Sequence, residues 1–161
     1  MNRTFTTLAA FVLILAAMPR PAWAKSPTAK MTISGGALTS EIEVTDPRIL
    51  DISNIWYGKF LDASGGVAKE PPRGLRTYEV WFYIKVAENS VRRRYVVYYS
   101  PNPATGRGYV YLPGPGQPWY NLNVSAILRD GQDGKWNYAS PAWEELIKPV
   151  IAQAEAAPPR P

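Results

Sequence analysis

The sequence contains neither cysteine nor histidine. Without cysteine the chain has no disulfide, no thiol nucleophile and no sulfur ligand for zinc. Without histidine it has no Ser-His-Asp or Cys-His catalytic group, and no side chain whose ordinary pKa lies near neutrality. Catalysis would therefore depend on carboxylates or on a serine–lysine pair. We predict a protein without a metal ion or cofactor, and we favour a non-catalytic role.

Long apolar runs are lacking apart from one near the amino terminus, Leu8–Met18, which follows Arg3. A helix that spans a bilayer needs about 20 apolar residues, so this run is too short to anchor the chain. The small residues of Ala22-Trp23-Ala24 come next, in the position of a cleavage site. This order predicts a secretory signal peptide over residues 1–24, cut after Ala24. We expect a periplasmic or secreted protein without a stable membrane anchor.

A strong charge of either sign is also lacking. The signal peptide carries Arg3 and Arg20, so cleavage leaves 16 basic and 13 acidic side chains and a formal charge of +3. Nucleic-acid-binding domains carry a larger and more clustered basic surplus, so we predict no nucleic-acid partner. We expect one globular domain over residues 25–155 and a disordered tail over 156–161. The host is expected to be bacterial, because small secreted eukaryotic domains usually contain disulfides.

The clearest structural signal is the alternation of side chains in Thr77–Ala87. A period of two residues is typical of a β-strand with one buried face. Short turn segments separate this strand from two others, Val91–Ser100 and Arg107–Leu112, so the three are predicted to form an antiparallel meander. Shorter strands are predicted at Lys30–Ser34, Ser40–Val44 and Lys135–Ala139.

Proline after a capping residue marks two helix starts, at Asp46-Pro47 and at Ser140-Pro141. The second start opens the longest helix, which has an apolar stripe at helical spacing and Pro149 in its interior. The segment Trp119–Val124 fits either a strand or a helix. Together these elements predict an α+β fold, in which an antiparallel sheet of about five or six strands packs against one C-terminal helix. The apolar stripe consists of Trp143, Leu146, Ile147, Val150, Ile151 and Ala154.

Two segments are predicted to be loops. Pro113–Pro118 contains three prolines and two glycines, so we expect it to be exposed. Asp62–Arg76 is polar and longer than most connections between elements. Its length is compatible with a mobile lid, a binding loop or a segment without a function of its own.

Aromatic side chains provide the main candidates for ligand binding. Trp56-Tyr57 and Trp119-Tyr120 lie next to predicted loops, where their flat rings can reach a sugar or a partner protein. On a regular strand Arg92 and Arg94 point to the same side, where they can assist if the ligand is an anion. We therefore predict a non-catalytic binding module that recognises an envelope glycan or an envelope protein through these six residues.

Two alternative functions remain open at this point. An edge strand of the sheet can accept a strand from a partner, which is the behaviour of a structural or interaction protein. The chain can also be a small glycan hydrolase, with Glu79 as general acid and Asp130 or Asp133 as its partner carboxylate. Glycosidase carboxylates lie about 5–9.5 Å apart, so the second alternative requires these side chains to meet.

The predicted packing of the C-terminal helix can be tested by introducing a charge at Ile147. The Ile147→Asp variant buries a carboxylate in the core, which we expect to unfold the protein. The measurement is the thermal unfolding temperature followed by circular dichroism. An unchanged unfolding temperature would refute this packing.

Overall fold

The computed structural model describes residues 25–70 and 72–157. The predicted signal peptide, residues 1–24, and residues 158–161 of the predicted tail lie outside the described residues. Within the described ranges the chain forms a six-stranded antiparallel sheet and three helices, which confirms the predicted α+β class. In chain order the elements are β1 (Thr28–Gly35), β2 (Ile42–Val44), α1 (Pro47–Ile52), β3 (Tyr78–Ala87), β4 (Ser90–Ser100), β5 (Tyr109–Tyr111), α2 (Tyr120–Ala126), β6 (Trp136–Tyr138) and α3 (Pro141–Ala156).

Neighbouring strands of the sheet follow the order β2-β1-β3-β4-β5-β6. β3, β4 and β5 form the predicted meander, and β1 pairs along the other side of β3. The predicted core face of β3 is confirmed, because Tyr78, Val80 and Phe82 are buried; on the opposite face Lys85 is exposed, whereas Trp81 is buried. This pattern is typical of an antiparallel strand with one face toward the core.

A hydrophobic core fills the space between one face of the sheet and the helices α1 and α3. Trp143, Ile147 and Ile151 of α3 are all buried there. The Trp143 ring meets the Tyr99 ring of β4 edge-on, with 5.0 Å between the ring centroids. Trp143 Nε1 also donates a hydrogen bond of 2.9 Å to the hydroxyl of Ser53, at the end of α1. The predicted apolar stripe therefore packs against the sheet, and its indole joins the two helices.

α3 is continuous from Pro141 to Ala156 although Pro149 lies inside it. Proline in a helix interior costs about 3 kcal/mol, because it removes a hydrogen bond and crowds the preceding turn. Burial of Ile147 and Ile151 contributes roughly 1.5–3 kcal/mol each, which offsets that cost.

Among the described residues, no helix combines the length and the apolar character needed to cross a membrane.

α1 begins as predicted, with Asp46 as its capping residue and Pro47 as its first helical residue. The Asp46 carboxylate accepts a hydrogen bond of 2.9 Å from the backbone N–H of Arg48. The Arg48 guanidinium folds back to the other carboxylate oxygen at 2.7 Å. Hydrogen bonds from this side chain and then from its backbone lower the pKa of Asp46 to about 2. The cap is therefore ionised at neutral pH.

A β-bulge in β4 decides which arginine lies on which side of the sheet. The strands pair Phe82 with Tyr95 and then Tyr83 with Arg93, so Arg94 is an extra residue in β4. The regular alternation predicted for the three arginines is therefore wrong. The bulge places Arg93 beside Tyr83, on the face of the sheet opposite α1 and α3, and Arg92 beside Ile84, on the core face.

The first half of the predicted loop Asp62–Arg76 runs along the outer edge of β6. The backbone N–H of Ala68 donates to the Trp136 carbonyl at 2.8 Å, and that of Tyr138 donates to the Gly66 carbonyl at 3.0 Å. These bonds occupy backbone groups that an uncovered edge strand would offer to another chain. This half of the loop is therefore a cover for the sheet edge.

The segment Trp119–Val124, which fits either a strand or a helix in the sequence, is mostly helical in the structure, where α2 begins at Tyr120. β4 pairs with β5 over three residues, and Val96 lies beyond that pairing. Asn123, which is fully buried, occupies the place of the missing strand. Its Nδ2 donates to the Val96 carbonyl at 2.8 Å, and its Oδ1 accepts from the Val96 N–H at 2.9 Å. One side-chain amide therefore completes the ladder and fixes α2 to the sheet.

Replacing Asn123 by alanine will leave the N–H and the carbonyl of Val96 buried without these partners. Each unpaired buried group costs about 1–3 kcal/mol, so the free energy of unfolding should fall by about 2–4 kcal/mol in urea denaturation. Asn121→Ala changes an exposed position of the same helix and is the matched control. It should shift that free energy by less than about 0.5 kcal/mol. Equal effects of the two variants would contradict the role assigned to Asn123.

Candidate functional site

The face of the sheet opposite α1 and α3, here called the outer face, carries a large set of aromatic side chains. Directly paired residues of antiparallel strands share a face. The pairings of Glu79 with Tyr98, Tyr98 with Tyr111 and Tyr111 with Trp136 therefore align these side chains in one row across four strands. A second row on β5 and β6 holds Tyr109 and Tyr138.

Five rings of these two rows form a surface that we call the aromatic strip. The ring centroids lie 6.3 Å apart for Tyr98 and Tyr111, 5.1 Å for Tyr111 and Trp136, and 5.5 Å for Tyr109 and Tyr138. These separations are typical of aromatic pairs that stabilise one another. All five side chains are half-buried, so each keeps part of its ring accessible. The aromatic strip consists of Tyr98, Tyr109, Tyr111, Trp136 and Tyr138.

Arg107 borders the aromatic strip at Tyr138. Its guanidinium carbon lies 3.7 Å from the centroid of that ring, and its Nη2 donates to Asp62 at 2.6 Å. The other Asp62 oxygen accepts hydrogen bonds from Ser64 and from the backbone N–H of Gly65. The bond from the Ser64 hydroxyl, followed by the bond from Gly65, lowers the pKa of Asp62 to about 2. The ionised carboxylate therefore holds the guanidinium on the ring.

Trp81 occupies the neighbouring row of the outer face and is covered by two side chains. The Trp119 ring meets it edge-on at 4.9 Å, and the Arg93 guanidinium lies 4.6 Å from its centroid. Arg93 also donates to the Tyr83 hydroxyl at 2.8 Å. Trp119 has a φ of 70°, the left-handed region that non-glycine residues rarely adopt, which costs roughly 1–3 kcal/mol. Contact with Trp81 holds this residue in place, with 45 % of its surface exposed.

The structure does not bring the two predicted aromatic pairs together. Trp119 lies over the outer face, and Tyr120 beside it begins α2 and is half-buried. Trp56 packs against the core on the helical side, where its indole N–H donates to the Ser26 carbonyl at 2.9 Å. Tyr57 is 71 % exposed and follows Trp56 on that side. The predicted binding face is therefore divided between two sides of the sheet.

The predicted arginines have separate surroundings as well. Arg94 donates to the carbonyl and the hydroxyl of Ser125, at 2.5 and 3.0 Å, and so braces α2. Arg92 is exposed and pairs with Ile84 on the side of the core. Arg93 is the arginine that reaches the outer face, as the bulge requires.

The carboxylates proposed for hydrolysis do not form a pair. Glu79 lies on the outer face, where it accepts a hydrogen bond from the neighbouring indole. Asp133 accepts from the backbone N–H of Arg129 at 2.8 Å, and the Arg129 guanidinium lies over the Tyr95 ring on the core side. Burial raises the pKa of Asp133, whereas Asp130 on the same turn is exposed. Glu79 and Asp133 therefore have separate partners, on opposite sides of the sheet.

Residues of the aromatic strip were not selected by the sequence reasoning, although a usable signal was present. Tyr109 and Tyr111 alternate with the buried Val110, and Trp136 and Tyr138 alternate with Asn137. Alternation in β5 and β6 together shows that these rings share a face. Whether that face points toward α3 or away from it depends on how β5 and β6 pair with the other strands, and the local sequence does not determine this pairing.

In the described parts of the chain, no group of three or more acidic side chains could hold a metal ion. Comparison of the chain with protein-family models, with curated proteins and with solved structures gave no match. Only the geometry of the candidate site therefore bears on its function.

Ionisation of Asp62 has a testable effect on stability at low pH. Because folding lowers its pKa, the carboxylate stabilises the fold above its ordinary pKa near 3.8, and this contribution is lost as the pH falls through about 2. The difference in unfolding temperature between the wild type and Asp62→Asn should be constant from pH 7 to 5 and should shrink below pH 4. Asp130→Asn changes an exposed side chain and serves as the control. A difference that persists at pH 2 would contradict this assignment.

Proposed function

We propose that the chain is a non-catalytic binding module of the periplasm or cell exterior, and that the aromatic strip binds a glycan of the envelope. The observation that carries the proposal is the set of five half-buried rings on neighbouring strands. The ring pairs stabilise the sheet, and each ring also keeps part of its surface accessible. Contiguous apolar surface of this kind usually marks a binding site.

The chemistry of the aromatic strip favours sugar rings as the ligand. A pyranose has an apolar face of C–H groups and an edge of hydroxyls, and Tyr and Trp have an apolar face and a polar edge. The strip extends over three strands, a width of about 10 Å at the usual spacing between strands. It therefore offers stacking surface to more than one part of a saccharide chain, and Arg107 and Glu79 at its borders offer hydrogen bonds to hydroxyl groups.

An envelope protein is the second candidate for the partner. Protein interfaces are also rich in Tyr, Trp and Arg, and they commonly include aliphatic anchors. The aromatic strip has rings with polar edges and no aliphatic side chain among them, which supports the glycan more than the protein.

The experiment is affinity electrophoresis of the purified protein through gels that contain bacterial envelope polysaccharides, followed by calorimetry with fragments of the polysaccharide that retards it. Trp136→Ala and Tyr109→Ala each remove one stacking surface. Each should weaken binding by about tenfold or more, equivalent to about 1.4 kcal/mol. Tyr57→Ala removes an exposed ring on the opposite side of the sheet and should leave binding unchanged.

Circular dichroism of each variant verifies that the fold is retained. Equal losses in Tyr57→Ala and Trp136→Ala would exclude the aromatic strip as the site. If no polysaccharide retards the protein in the gel, the proposal of a glycan ligand is contradicted. If a purified envelope protein binds and its binding depends on Trp136, the partner is a protein instead.

A further inference from the structure

A cavity of about 570 Å³ opens on the helical side of the sheet, away from the aromatic strip. Its walls are the end of the long loop, at Gly74–Arg76, the turn that follows β4, and the second half of α3. The volume lies in the range of about 300–1,000 Å³ that is usual for small-molecule sites. The cavity can therefore hold an organic ligand.

Most of the cavity wall is apolar. Leu75 and Pro103 line it on the loop side, Ile151 and Ala152 line it on the α3 side, and Pro101 continues the wall from the end of β4. Burial of apolar surface against such walls contributes about 25 cal/mol per Å². An occupant of this cavity therefore needs an apolar body.

Two carboxylates lie at the cavity, Glu155 in its wall and Glu144 behind Lys148, and both already have partners. Glu144 is buried and accepts from the Tyr99 hydroxyl at 2.6 Å, from the Gly108 N–H at 3.0 Å and from Lys148 at 2.9 Å. Glu155 accepts from the Tyr78 hydroxyl at 2.5 Å. Burial, followed by this bond, raises the pKa of Tyr78 to about 12, so the hydroxyl keeps its proton at neutral pH.

The two cations of the cavity wall keep donors that a ligand can use. Lys148 has three N–H groups, and it donates to the Gly106 carbonyl at 2.8 Å and to Glu144 at 2.9 Å. Among the described residues these are its two partners, so its third N–H group can donate to a ligand. Arg76 is 65 % exposed and reaches Glu155 through Nη1 at the long distances of 3.3 and 3.5 Å. The guanidinium also interacts with the Tyr78 hydroxyl, and exposed contacts of this kind are weak enough for it to turn toward an anion.

From these observations we propose that the cavity binds a small organic carboxylate with an apolar body, such as a medium-chain acid. The apolar wall takes the body, and the spare donors of Arg76 and Lys148 take the carboxylate as charge-assisted hydrogen bonds. A cationic ligand would instead have to compete with tyrosine and arginine donors for Glu155. This site is independent of the glycan proposal, because the two surfaces lie on opposite sides of the sheet.

The test uses three probes with the same tail and different head groups: decanoate, 1-decanol and decylamine. Calorimetric titration of the purified protein should give the tightest binding for decanoate, weaker binding for 1-decanol and the weakest for decylamine. Ala152→Trp fills the cavity from α3 and should abolish decanoate binding. Because Ala152 is exposed at the rim, this change leaves the core unaltered.

Arg76→Gln should weaken decanoate binding by about fivefold, as expected for one partly exposed charge contact, and should leave 1-decanol binding unchanged. Arg73→Gln removes the same charge from an exposed position of the same loop and is the matched control. The proposal is overturned if decanoate does not bind, if decylamine binds as tightly, if Arg73→Gln has the effect of Arg76→Gln, or if Ala152→Trp binds decanoate normally.

Discussion

The structure depends on one constraint, which is that a single helical layer must serve a sheet with apolar residues on both faces. α1 and α3 cover one face, and their burial of Trp143 and Ile147 supplies the core. The other face lies away from α1 and α3, yet Trp81 and Val96 on it are almost completely shielded from water. The strained residue Trp119 and the bulge residue Arg93 cover Trp81. The amide of Asn123 fixes α2 beside Val96.

The same constraint explains why one small domain presents two different kinds of surface. On the outer face, rings cover one another only in part, which leaves flat aromatic surface accessible to a large ligand. On the helical side, the loops do not pack closely against the second half of α3, and a cavity remains between them. Between them lies a sheet whose rigidity comes from continuous backbone pairing, so neither surface needs the other to be occupied.

Local signals accounted for much of the fold. The alternation in β3, the Asp46-Pro47 cap and the start of α3 at Ser140-Pro141 depend on neighbours in sequence, so each was predictable. The bulge at Arg94 was not, because it depends on how β4 pairs with β3. α2 was ambiguous because its first turn follows Trp119, a residue with no capping side chain. The predicted binding face combined Trp56 and Trp119 because they have similar local sequences, whereas tertiary pairing places them on opposite sides of the sheet.

The cover along β6 has a consequence for how this protein behaves in crowded surroundings. Sheets polymerise when the edge strand of one molecule pairs with the edge strand of the next. In this chain the backbone of Gly66 and Ala68 already occupies hydrogen-bonding groups of β6. At the opposite end β2 offers only three residues, which is too little template for a stable intermolecular ribbon. Both outer strands of the described sheet therefore offer little backbone for strand addition between molecules.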